Sequence, residues 1–199
     1  MADNYRTPQE LLSFFKELEW LKTVKRQNKT FDNGRHENSA EHSWQLAIMS
    51  QFLMVYFPEP VNMERVMTML LLHDVGEIHA GDTSAFDEEG KTTSYEREWL
   101  SVQRTFGKLP NDLRQFALEH WQEFELGNSA EARYARVIDA LAPLMNHFFI
   151  AEENENPSGL TKTQVLARKA FIAEESQPLW ELTQYLIDAS VKKGLYLDV

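Results

Sequence analysis

An all-helical bundle is the fold class this sequence predicts. Three observations carry that expectation: only eight Gly and seven Pro among 199 residues, long stretches whose apolar residues recur roughly every 3.6 positions, and no run in which apolar and polar residues alternate as in a half-buried strand. With 43% hydrophobic residues and twelve Phe, the chain has ample material for one core. It carries no internal repeat or low-complexity tract, so residues 1–199 read as a single domain.

The elements follow in order. A first helix starts after Thr7, with Pro8 at its first position and Glu10 completing a capping box, and turns Leu11, Leu12, Phe15, Leu18 and Leu21 inward. From about Lys22 to Ser39 the chain is a polar, irregular connection. Ser39 or Ser43 caps a second helix through Trp44, Leu46, Ile48, Met49, Phe52 and Leu53, which stops at Pro58 and Pro60. A third helix spans about Asn62 to Val75. Gly76 and Gly81 bracket a short turn, and a polar loop runs on to Lys91. Further helices are expected over about Thr93–Phe106, Asn111–Phe124, Ser129–Ala151, Thr161–Ala173 and Pro178–Lys193, the last closed by Gly194. The segment Asn154–Gly159 breaks the run between late helices.

Composition excludes several classes of function. A formal net charge of −11 speaks against a large nucleic-acid footprint, although a few local cations suffice for a small anion. Zero Cys removes disulfides and thiolate metal sites, so a transition metal would be held by imidazole and carboxylate alone. The opening residues lack the basic start and apolar stretch of a leader. No apolar run approaches the roughly 20 residues of a membrane span, and the expected location is the cytoplasm.

The dipeptide His73-Asp74 at the end of the apolar run Met67–Leu72 is the chemically informative feature. Neighbouring side chains on a helix diverge by about 100°, so the two cannot easily satisfy each other, yet both can reach one cation against that side of the helix. Two partners elsewhere suit such a cation: His42 in Ala40-Glu-His-Ser43 and Asp139 in Arg136-Val-Ile-Asp-Ala140. Asp139 has an alternative partner in Arg136, one turn earlier. Two imidazoles and two carboxylates leave a divalent ion partly uncompensated and able to hold water, which describes a catalytic site. This donor set suits Mn, Co, Ni, Fe or Zn, with Mg less at home beside two histidines. The four ligands are too far apart in sequence for a zinc-finger pattern, so separate helices must converge.

Glu41-His42 opening one helix, His73-Asp74 ending another and Asp139 on a later one resemble the H…HD…D signature of the HD-domain metal-dependent phosphohydrolases. The blocks Arg35–Trp44, Leu72–Thr83, Phe106–Pro110 and Trp121–Glu125 are similar to the 5′-deoxynucleotidase branch of that superfamily. The resemblance implies an HD-domain helical bundle, one divalent cation on His42, His73, Asp74 and Asp139, and hydrolysis of a small nucleotide, a (deoxy)nucleoside 5′-monophosphate, through a metal-activated water. It also implies a homodimer. Glu77, four residues beyond His73, would face the same side and serve as general base or water-orienting group. Asp82 would protonate the leaving oxygen or order a second water, and the two roles are interchangeable. Arg26 resembles the family's phosphate-contacting arginine, with Lys25 and Arg35 as neighbouring alternatives. The stretch Gln27-Asn28-Lys29 departs from the aromatic residue that often follows this arginine. His79 is open as a ligand of a second metal or an ordinary loop residue, while Trp44, Trp99 and Trp121 read as core or dimer-contact residues. Rival readings are an HD hydrolase of dNTPs, cyclic nucleotides or guanosine tetraphosphate, or a non-catalytic nucleotide sensor.

Overall fold

The computed structural model describes residues 8–32, 34–83 and 87–199. It is a helical bundle: α1 (Pro8–Leu18), α2 (Ser39–Leu53), α3 (Met63–Leu72), α4 (Glu77–Ala80), α5 (Glu88–Phe106), α6 (Asn111–Leu126), α7 (Ala130–Ile150), α8 (Lys162–Lys169), α9 (Phe171–Glu175) and α10 (Gln177–Lys192). The expected all-helical class holds, and the differences lie at ends and in one connection.

Caps explain most of the ends. Asn38, rather than Ser39 or Ser43, caps α2 in a reciprocal box with Glu41. Asp87 accepts from Gly90 N and starts α5 at Glu88, inside the stretch expected as loop. The late segment expected as one helix, Thr161–Ala173, is two, since α8 ends at Lys169 and α9 begins at Phe171. The Thr7 cap lies outside the described residues, as does the Glu10 side chain.

The polar connection contains a hairpin that apolar alternation did not announce. β1 (Lys25–Lys29) pairs antiparallel with β2 (His36–Asn38), with Lys25 opposite Asn38 and Lys29 opposite His36 across an irregular register. Its face is polar because it covers a polar site, so the usual strand signal is missing. In α1 the inward face is Leu11, Phe14 and Leu18 rather than the set containing Leu12 and Phe15, which are exposed. Spacing of three and then four residues gives either stripe, and packing against α5 selects this one.

Two apolar clusters flank the functional region. One gathers Leu46, Met69, Leu70, Tyr134, Ile138 and Leu141 from α2, α3 and α7. The other gathers Phe14, Val75, Val102, Phe106 and Trp121 from α1, α5 and α6 around the turn after α3. His73 and Asp74 sit where the clusters meet. There the α-helix gives way to a 3-10 turn over His73–Gly76. Trp121 Nε1 donates to the His73 carbonyl at 2.9 Å and pins that turn. Gly76 is required: a Cβ there would lie 2.9 Å from the Glu98 Cβ on α5. Trp121 and half-buried Trp99 pack in this region as core residues, whereas Trp44 is 65% exposed on α2.

No helix among the described residues is long and apolar enough to cross a membrane.

Candidate metal centre

Two helices and a turn bring the candidate ligands together. His42 sits in the first turn of α2, His73 and Asp74 in the 3-10 turn after α3, and Asp139 midway along α7. His42 Nε2 lies 2.9 Å from Asp139 Oδ1. His73 Nε2 lies 3.0 Å from Asp74 Oδ1 and 3.7 Å from Asp139 Oδ1. One donor atom each from His42, His73 and Asp139 falls within 4.8 Å of the others. Adjacent His73 and Asp74, expected not to satisfy each other easily, come within 3.0 Å where the chain leaves the α-helix, yet His73 Nε2 makes no hydrogen bond. Asp139 does not turn to Arg136, which donates to the Glu125 carbonyl at 2.8 Å.

Hydrogen bonding at His73 tests whether these residues suit a cation. Its Nδ1 lies 2.9 Å from the Leu70 carbonyl, which can only accept, so Nδ1 carries hydrogen. The buried Nε2 makes no hydrogen bond despite the two carboxylates beside it. In the neutral ring Nε2 is a lone pair facing oxygen lone pairs, an arrangement stable only with positive charge among them. Burial by itself would lower the His73 pKa, but the Asp74 and Asp139 carboxylates raise it well above the usual imidazole value. Burial would likewise raise Asp139, yet the His42 and His73 imidazoles hold it well below the carboxylate range. A divalent ion supplies the same charge to all donors at once, so the set fits one.

A carboxylate-rich shell surrounds the cage, threaded by Arg26. Its Nη1 lies 2.8 Å from Asp74 Oδ2, 3.6 Å from Glu77 Oε1 and 3.7 Å from Asp82 Oδ1. Burial opposes the Arg26 charge, but Asp74, Glu77, Asp139 and Asp82 together keep it firmly protonated. Burial opposes the Asp74 charge too, and His73 and Arg26 bring its carboxyl down to about 2. Glu77 goes the other way. Burial and the Asp74 charge push it up to about 9, although Ser39 Oγ donates to its Oε2 at 2.5 Å.

The other candidates divide. Arg26, Asp82 and Glu77 line a cavity of about 570 Å³ that contains His73, Asp74 and Asp139. Lys25 is exposed on β1. Arg35 is exposed and forks onto Glu41 at 2.6 and 2.8 Å, so it stands apart from the cavity. His79 pairs with Glu17 at 2.8 Å, a tie between α4 and α1 rather than a second metal position. Glu123 binds Arg65 and Ser129.

Sequence reasoning gave no role to several groups of the site. Glu98 and Glu125 line it. Burial, then Glu125 and Asp74, push Glu98 up to about 7, and burial raises Glu125 as well. Lys169 at the end of α8 closes the far wall, its ammonium lowered to about 8 by burial. Glu37 on β2 is buried, with Oε2 lacking a hydrogen bond 3.8 Å from His42 Nδ1 and 4.0 Å from Arg26 Nε. Its place three residues before Ala40, inside the block Arg35–Trp44, was the available signal.

Comparison with known proteins adds to this geometry. Residues 18–180 match the family model described as HD domain. The chain is 32% identical to human 5′-deoxynucleotidase HDDC2 over 130 residues, which are 65% of this chain and 62% of the human protein. The matched stretch thus spans less than two thirds of that relative. A crystal structure of a predicted metal-dependent phosphohydrolase from Magnetospirillum magnetotacticum MS-1 superposes with a TM-score of 0.83 at 38% identity, covering 94% of each chain. An HD-domain phosphohydrolase from Listeria innocua shares the fold, with a TM-score of 0.69 at 19% identity over 93% of this chain and 92% of its own.

Proposed function

Because the chain belongs to the HD domain family, we propose that it is a divalent-metal-dependent phosphohydrolase that cleaves (deoxy)nucleoside 5′-monophosphates to nucleoside and phosphate. The observation that carries this reading is the buried His73 Nε2, unbonded and facing the carboxylates of Asp74 and Asp139. Its relatives' names, 5′-deoxynucleotidase and metal-dependent phosphohydrolase, support the reaction class.

His42, His73, Asp74 and Asp139 would hold one ion, with Mn, Co, Ni, Fe or Zn suiting the donors better than Mg. Once bound, the cation activates water and neutralises charge on phosphoryl oxygens. Glu77 takes a proton from the attacking water, its second oxygen held by Ser39. Asp82 delivers a proton to the leaving 5′ oxygen. Arg26 donates from Nη1 to the phosphate, aimed by the carboxylates around it.

We place the enzyme in the cytoplasm as one domain over residues 1–199 and as a homodimer. The outward stripe Trp44, Ile48 and Phe52 on α2, with Val55 in the 3-10 turn that follows it, each between 48% and 75% exposed, supports an apolar contact between copies. Sedimentation of the purified protein as a monomer would remove the dimer.

A metal-by-nucleotide matrix tests the function: purified protein, each of the five ions and Mg, and ribo- and deoxyribonucleotides of all common bases, assayed for phosphate and pyrophosphate. Phosphate from monophosphates is the expected product. Pyrophosphate or tripolyphosphate release from triphosphates alone, or equal turnover by wild type and Asp74→Ala, overturns the assignment.

A further inference from the structure

The geometry points to a second cavity, beside the metal cage, as the seat of the substrate's nucleobase; this inference rests on the nucleotidase reading above. The cavity measures about 580 Å³ and shares Gln27, Asn28, Pro143 and Lys169 with the first. A ligand whose phosphate lies at the cage meets it across this common wall.

The two spaces differ in chemistry. Around the cage stand Arg26, Asp74, Glu77, Asp82, Lys91 and Glu98, a charged lining suited to phosphate and water. The second space is walled by Leu144, Ile150, Leu160, Val165 and Tyr196. Apolar walls with a few convergent polar groups are what a flat heteroaromatic ring requires. One cation there, Lys29, is already paired with Glu155 at 3.1 Å. The polar pair is half-buried His147 and buried Tyr196, Nδ1 and Oη 3.1 Å apart. Burial lowers His147 and raises Tyr196 to about 12, so at neutral pH both are uncharged and offer hydrogen bonds rather than charge. Lys169, on the wall shared with the charged cavity, is the other cation of this lining, and a base edge finds donors and acceptors at His147 and Tyr196.

Helix α7 supplies the direction. Asp139, Pro143, His147 and Ile150 follow one another at spacings of four, four and three residues, so they share one face of α7. At 1.5 Å rise per residue His147 stands about 12 Å from Asp139 along the axis, within reach of an extended nucleoside monophosphate anchored at the metal ligand. Asn146, next to His147, donates to the Lys29 carbonyl at 3.1 Å and fastens β1 along this track.

Filling the space provides the test. Ile150→Trp and Leu160→Trp, made singly, are assayed with a nucleoside 5′-monophosphate and with ribose 5-phosphate, which has the phosphate and sugar but no base. The expected result is a loss of about tenfold or more in kcat/KM on the nucleotide with ribose 5-phosphate turnover unchanged. Full retention of nucleotide turnover in a folded variant overturns the inference and moves the base to Phe171 at the mouth of the first cavity. Equal loss on both substrates with unaltered unfolding midpoints overturns it as well. The unmutated protein gives a second readout: titration with deoxyadenosine is expected to shift the ring proton signals of His147, and constant signals up to saturating nucleoside overturn the proposal. If the wild-type protein releases phosphate from neither substrate, the nucleotidase reading fails instead, and the titration still decides the cavity.

Discussion

Arg26 and Asp74 meet at 2.8 Å, Nη1 to Oδ2, although 48 residues separate them in the chain. The contact joins the short hairpin to the turn that follows α3, so the strand that covers the cage is held by one of the cage's own acids. The same guanidinium lies within 4.0 Å of Glu37, Glu77 and Asp82. It compensates more negative charge than any other side chain of the site.

Arg26→Ala is therefore expected to lower the stability of protein freed of ions with EDTA by about 3 kcal/mol, because it leaves buried carboxylates without a counter-charge. Adding Mn is expected to restore much of that loss while phosphate release stays low. Urea unfolding with and without Mn, beside the activity assay, measures both. An unchanged unfolding midpoint in EDTA would contradict this account of the shell.

Glu77→Gln keeps the size of the side chain and its contact with Ser39 but removes the proton acceptor. Metal affinity by calorimetry is expected to stay near that of wild type, and kcat to fall by about 10² to 10⁴. Loss of metal binding together with activity would make Glu77 a ligand rather than a base.

Glu98 gives the ion-free protein a pH dependence of definite sign. Its carboxyl is raised in the fold to about 7, by burial first and then by Glu125 and Asp74. The neutral form is favoured by folding, so its contribution is complete at low pH, below the unfolded carboxyl range, and fades as pH rises through about 7. Glu98→Gln stays neutral throughout. It is expected to match wild type at pH 4 and to exceed it on the order of 2 kcal/mol at pH 8, measured by denaturant unfolding in EDTA. A gain at pH 4 that vanishes at pH 8 has the wrong sign for this mechanism.

Gly76→Ala places a methyl group 2.9 Å from the Glu98 Cβ, which belongs to the rigid stem of its side chain. The turn bearing His73 and Asp74 must then shift from α5, at a cost of about 1–3 kcal/mol. Metal affinity is expected to weaken in step with the thermal midpoint. Gly81→Ala, a substitution strained by a φ of 77° but with nothing within 4 Å of its Cβ, is expected to spare the metal site.

The helices and the candidate metal ligands were legible because each left a local mark. Apolar residues at helical spacing announce a buried face, and an acid beside a histidine at the end of the apolar run Met67–Leu72 has few other uses. Arg26 and Asp82 were reached through a longer pattern of matching blocks and line the cavity, whereas Arg35, chosen on the same grounds, binds Glu41. The hairpin escaped notice because its residues are polar on the side that covers charge. Glu37, Glu98 and Glu125 received no role because an acid on a half-buried helix or strand looks the same in sequence whether it faces water or a cage.

By itself the sequence determined which residue types were present for chemistry: imidazoles and carboxylates without thiols, on helices whose apolar periodicity forced them into a bundle. Tertiary structure decided which of those groups converge. It brought His42 to Asp139, took Arg136 away to Glu125, left Trp44 outside, and set an apolar cavity against a charged one. The physical reason is range. Helix formation and capping are settled among residues a few positions apart, whereas a charge's partner, burial and pKa depend on atoms within a few ångströms that arrive from any part of the chain.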